Sequence, residues 1–70
     1  MSQKSPRLTS KQVIKQLKQA GFIEIKQTGS HLKLFNPNTR RSAIVPIHSN
    51  QTIPVGTLKA IEKQAEIKFS

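Results

Sequence analysis

No cysteine occurs in this 70-residue chain, so neither a disulfide nor a thiolate-bound metal can hold it together, and a reducing compartment is permitted. Trp and Tyr are absent as well, which removes the best membrane-interface anchors and some of the side chains on which nucleic-acid bases stack. No apolar run approaches the roughly 18 residues that a membrane-spanning helix needs. The polar, basic start is not followed by the apolar segment of a signal peptide. The expectation is a cytoplasmic protein that does not engage a membrane. Carboxylates are scarce: Glu24, Glu62 and Glu66 are the only three, and together with the two histidines they show no metal-ligand spacing. No metal and no cofactor is expected. Catalysis by a side-chain nucleophile lacks both cysteine and a convincing Ser/His/Asp set.

What the chain has is positive charge. Twelve Lys and Arg against three acidic residues give a formal charge of +9, which favours a polyanionic partner through long-range attraction and counterion release. Nucleic acid leads. An anionic membrane surface or an acidic protein would feel the same field, and charge alone does not choose between RNA and DNA. A chain of this length buries only about 60% of its unfolded surface and cannot supply two cores, so one small domain is expected.

Residues 1–8 are polar, interrupted by Pro6, and read as a flexible tail, with a single domain over residues 9–70. Thr9 or Ser10 can cap a first helix whose apolar face is Val13, Ile14, Leu17 and Ala20, with Gly21 as its stop. Lys11, Lys15 and Lys18 lie on the opposite stripe, which reads as a solvated face before a nucleic-acid ridge. A first strand runs from Phe22 to Gln27, with Ile23 and Ile25 on one face and Glu24 and Lys26 on the other. Thr28-Gly29 turns the chain. In the second strand Leu32 and Leu34 point one way, and His31, Lys33 and Phe35 the other. The turn formers Asn36-Pro37-Asn38-Thr39-Arg40 return the chain into Arg41–His48, with Pro46 at an edge or a strand end. Pro54 or Thr57 begins a second helix buried through Leu58, Ile61 and Ala65, after which Ile67 and Phe69 can pack back on the core. Short turns join only antiparallel neighbours, so the order is an α+β domain, α-β-β-β-α, with a three-stranded antiparallel sheet and two helices on one face. The sheet face that carries His31 and Lys33 stays open.

Histidine exchanges a proton near neutral pH without extreme tuning, which makes His31, delivered by Gly29-Ser30 onto the start of a strand, the candidate centre of any chemistry. Lys26, Lys33 and Arg41 are the cations near it in sequence. His31 as a base or acid, with Lys26, Lys33 and Arg41 as cations, is compatible with acid–base work at a phosphate. His48 is either a complementary acid or a solvated histidine at a strand end. Ser30 is either a phosphate donor or a local partner of the backbone. Phe35, on the face of His31, reads as packing.

Four short motifs in order, Gly21-Phe22, Gly29-Ser30-His31, Val45-Pro46-Ile47-His48 and Gly56-Thr57-Leu58 with Ile61, make the stretch from Ser10 to Ile67 resemble the HicA family of small toxins from bacterial toxin–antitoxin pairs. Members of that family are messenger-RNA interferases. The resemblance implies a fold like the double-stranded-RNA-binding domain, a metal-independent endoribonuclease acting on mRNA with His31 as the catalytic residue, and a HicB-like antitoxin that masks it. Two departures stand out. Many relatives carry arginine at the position of Lys26 and a basic residue at that of Thr28, and a glycine is common where Ser49 follows His48. The rival expectations are a noncatalytic RNA-binding module of the same fold and a purely protein-binding partner for an acidic antitoxin.

Overall fold

The computed structural model describes residues 8–47 and 51–69. In chain order they form α1 (Ser10–Gln19), β1 (Ile23–Thr28), β2 (His31–Asn36), β3 (Arg41–Pro46) and α2 (Val55–Ala65). The strands make one antiparallel sheet in the order β1-β2-β3, so β2 is central and hydrogen-bonded on both sides. The α-β-β-β-α architecture expected of the sequence is the one observed. No helix among the described residues is long and apolar enough to cross a membrane.

The local chemistry explains each boundary. Thr9 is the N-cap of α1: its hydroxyl accepts from the Gln12 N–H while the Gln12 side chain accepts from the Thr9 N–H, a reciprocal capping box. Ser10 is released for another task. It is buried, and its hydroxyl donates to the Pro46 carbonyl at the end of β3. The C-terminus of α1 is a Schellman motif, with the Gly21 N–H donating to Lys18 and the Phe22 N–H to Leu17. Gly21 takes φ +105°, and Phe22 and Leu17, both buried, supply the accompanying apolar contact. The start of α2 lies at Val55 with Pro54 as its N-cap, which places Gly56 and Thr57 in the first turn.

The core is one cluster. Val13 and Leu17 of α1 and Leu58, Ile61 and Ala65 of α2 pack over Leu32 and Leu34 of β2 and Ala43 and Val45 of β3. Ala20, expected on the buried face of α1, is exposed because it is the helix C-cap, whereas Ile14 packs at the margin of the cluster. Phe69 returns to the core, its N–H donating to the Glu62 carboxylate. Leu8, at the end of the stretch read as a tail, is a core residue, and the Ile53 N–H donates to its carbonyl. Residues 1–7 lie outside the described residues.

β1 departs from its expected alternation. The register pairs Ile23 with Phe35 and Glu24 with Leu34, then skips Ile25 and resumes with Lys26 opposite Lys33, Gln27 opposite Leu32 and Thr28 opposite His31. Directly opposed residues share a face. Glu24 therefore lies on the helix side with Leu34, where it pairs with Lys18. Lys26 lies on the open side with Lys33. The bulge at Ile25 breaks the period of two, so Ile23 and Lys26 share a face and the expected pairing of Lys26 with Glu24 is corrected.

One buried polar side chain ties three of these features together. Asn36 is 3% exposed; its amide nitrogen donates to the Ala20 carbonyl at the end of α1, and its amide oxygen accepts from the Asn38 and Thr39 N–H groups of the β2–β3 turn. A Cβ at Gly21 would come within 3.3 Å of that amide. Replacing Asn36 by Ala strands a partly buried carbonyl and two turn N–H groups, and the expected loss is about 2 kcal/mol. Thr9→Ala, which removes an exposed cap, is expected to cost about 1 kcal/mol. Urea denaturation of the two variants reads the difference, and equal losses would contradict the role given to Asn36.

Candidate functional site

The open face of the sheet is built by β2. Because Leu32 and Leu34 must enter the core, His31 and Lys33 face the other way, and both are exposed. His31 begins the strand immediately after the two-residue turn Gly29-Ser30. Gly29 has φ +58° and Ser30 does not have positive φ, the pattern of a type II′ hairpin turn with glycine first. A Cβ at Gly29 would meet nothing within 4 Å, so conformation and not space calls for glycine there. The Ser30 carbonyl accepts from the Ile47 N–H at 2.6 Å, which carries the β2–β3 pairing one step past His31 and Pro46. From the other layer Ser10 donates to the carbonyl of Pro46, the residue directly opposite His31.

Four residues then form a compact cluster. Thr28 and His31 are directly opposed across β1 and β2, and so are Lys26 and Lys33. Directly opposed Cα atoms are roughly 5 Å apart, and His31 and Lys33 are two residues apart on one strand. The two ammonium groups therefore extend from neighbouring positions with no acid between them. All three of the side-chain carboxylates are engaged elsewhere: Glu24 with Lys18, Glu66 with Arg41, and Glu62 with the Phe69 N–H. Like charges placed directly opposite one another destabilise a strand pair. An anion placed between Lys26 and Lys33, beside the His31 imidazole, would remove that repulsion.

On the other side of His31 the surface is concave and neutral. A groove of about 380 Å³ is lined by His31, Ile44 and Pro46 from the sheet and by Pro54, Thr57, Ala60, Ile61 and Gln64 from the second helix and its approach. Gln64 defines its wall. Its side-chain oxygen accepts from the Ile44 N–H on the outer edge of β3, which closes part of an otherwise open strand edge.

The residues singled out in the sequence do not all meet. His31, Lys33 and Lys26 share the open face, Lys26 by way of the bulge, and Ser30 sits in the adjoining turn. Arg41 is separated from them. It opposes Asn36 while Pro46 opposes His31, so it lies five residues further along β3, roughly 16 Å from the His31 end. Its guanidinium pairs with Glu66 at the end of α2. His48 lies outside the described residues. Of the groove residues of α2, Thr57 and Ile61 were read only as helix start, motif and core, and Ala60 and Gln64 escaped sequence reasoning, although Thr57, Ala60 and Gln64 recur at helical spacing beside the buried stripe. Among the described residues no group of three or more His, Cys, Asp or Glu side chains is placed to hold a metal ion.

Comparison with known proteins gives one finding. The family model described as the HicA toxin of bacterial toxin–antitoxin pairs matches residues 10–67. No curated protein matches the chain.

Because Lys26 and Lys33 repel each other, Lys33→Gln is expected to leave the fold as stable as before, or more stable by a few tenths of a kcal/mol. The same change should reduce the slope of log K against log [salt] for a single-stranded oligonucleotide by about 0.7. A salt titration of binding beside a urea curve tests both, and an unchanged slope would remove Lys33 from the anion site.

Proposed function

The chain belongs to the HicA toxin family of bacterial toxin–antitoxin pairs, and on that premise we propose that it is a metal-independent endoribonuclease that cleaves mRNA at the open face of its sheet. The observation that carries this reading is the adjacency of an exposed histidine and two uncompensated lysines on a hydrogen-bonded strand pair. Family membership supplies the toxin role and an antitoxin partner. The chemistry follows from the residues.

Neutral His31 takes the proton of a ribose 2′-hydroxyl, whose oxygen attacks the adjacent phosphorus. Lys26 and Lys33 hold the nonbridging oxygens, where negative charge gathers as the new O–P bond forms. The bond from phosphorus to the 5′-oxygen breaks, that oxygen gains a proton, and the products are a 2′,3′-cyclic phosphate and a 5′-hydroxyl. His48, the residue after Ile47 in sequence, is the proposed donor of that proton and a contact for the substrate. Ser30 donates from the turn to the same phosphate. Arg41, at the far end of β3, serves as an outlying contact to the RNA backbone and not to the reacting phosphate. A HicB-like antitoxin neutralises the enzyme by covering the His31 face, and its complement to this cationic strip is acidic. The cytoplasm, where messages are translated, is the proposed place of action.

Incubation with an end-labelled single-stranded RNA in EDTA tests the reading. Wild-type protein is expected to cleave and to leave cyclic phosphate ends, while folded His31→Ala loses at least about a hundredfold in rate. Cleavage by His31→Ala at the wild-type rate, or cleavage abolished by EDTA, would overturn the assignment. Binding by both proteins without cleavage by either would make the chain a noncatalytic RNA-binding module.

A further inference from the structure

We infer that the groove between β3 and the second helix is a subsite for one unpaired nucleobase of the RNA, so that the preferred substrate is single-stranded at the cleaved step. The inference deepens the proposed ribonuclease reading and rests on it for the identity of the polymer. Beside His31 two surfaces of opposite character meet: the cationic pair of Lys26 on β1 and Lys33 on β2, and an uncharged concavity lined by Ile44, which directly opposes Lys33, by Pro46, which directly opposes His31, and by Thr57, Ala60 and Gln64. A nucleotide has the same division, an anionic phosphate and a neutral, flat base joined through the ribose. If the ribose and phosphate lie over His31 and the lysines, the base attached to that ribose reaches the neutral side.

Size and chemistry agree with that occupant. At about 380 Å³ the groove is at the small end of ligand-binding clefts, which run from roughly 300 to 1,000 Å³, and it takes one nucleoside and not a stacked base pair. Its floor is Ile61, 1% exposed, and its sheet wall is Ile44, a large apolar side chain that is 46% exposed. Gln64 adds a polar group: with its oxygen accepting from the Ile44 N–H, its amide nitrogen keeps its N–H donors for a carbonyl or ring nitrogen of a base. A paired base in an A-form helix has its faces stacked and its edge occupied, whereas an unpaired one can swing out into such a cleft.

The test uses Ala60→Phe, a substitution at an exposed helical position that fills the groove, with the fold checked by circular dichroism. Two readouts separate this inference from the nuclease reading. In the first, wild-type protein cleaves single-stranded RNA about tenfold or more faster than the same sequence in a duplex, and Ala60→Phe loses about tenfold or more in kcat/KM and changes the pattern of cut sites. An RNA with an abasic ribonucleotide at the cut position is cleaved equally by both proteins. In the second, a noncleavable 2′-O-methyl RNA carrying 2-aminopurine changes its fluorescence on binding wild-type protein and not on binding Ala60→Phe. A fluorescence change lost in the variant, in a protein that cleaves nothing, supports the base subsite while the nuclease reading fails. Cleavage with unchanged rate and sites in Ala60→Phe, duplex RNA cut as fast as single strands, or no fluorescence change with wild-type protein would overturn the subsite.

Discussion

The central strand can satisfy the core in only one way. Leu32 and Leu34 fill the space beneath both helices, and the period of two along a strand then obliges His31 and Lys33 to face outward. A slip of one residue would bury an imidazole and an ammonium and expose two leucines, so burial sets the register of the open face. β1 has no such obligation. Every one of its residues is exposed, and the extra residue at Ile25 costs the core nothing. That freedom is what allows Lys26 and Thr28 to be turned onto the face of His31 and Lys33.

Charge is arranged with the same economy of means. Each carboxylate in this strongly basic chain serves an anchoring contact: Glu24 ties β1 to α1, Glu66 ties the end of α2 to β3, and Glu62 draws Phe69 into the core. The first two pairs are exposed and contribute little stability individually. Their larger effect is by omission, since no acid remains to compensate Lys26 and Lys33. The resulting repulsion is a small local cost in the free protein that a bound phosphate relieves. Arg41, paired with Glu66 and distant along β3, is not equivalent to them.

Much of the fold was legible because the sequence states it locally. Gly21 after Ala20 ends a helix, Gly29-Ser30 turns a hairpin, and the Leu32–Leu34 and Leu58–Ile61–Ala65 spacings each name a buried face. The bulge was not legible. Ile23-Glu24-Ile25-Lys26 alternates as regularly as any strand, and only the pairing with β2 shows that Ile25 is skipped. Asn36 looked like a turn former and is one, but its link to the Ala20 carbonyl requires α1 and β2 to be packed together. The groove was invisible for the same reason: Ile44 and Gln64 are twenty residues apart and meet only through one hydrogen bond across a sheet edge. His31 and Lys33 could be placed on one face from spacing alone, whereas the separation of Arg41 required the register of β3.

In the proposed function RNA engages the open face through His31, Lys26 and Lys33. The most direct measurement is a titration of isotope-labelled protein with a noncleavable single-stranded RNA, followed by amide chemical shifts. The largest changes are expected at Lys26, Thr28, Ser30, His31 and Lys33 and along the groove at Ile44, Ala60 and Gln64. Changes confined to Lys11, Lys15 and Lys18 on the outer stripe of α1, with the His31 face unmoved, would contradict the proposed function.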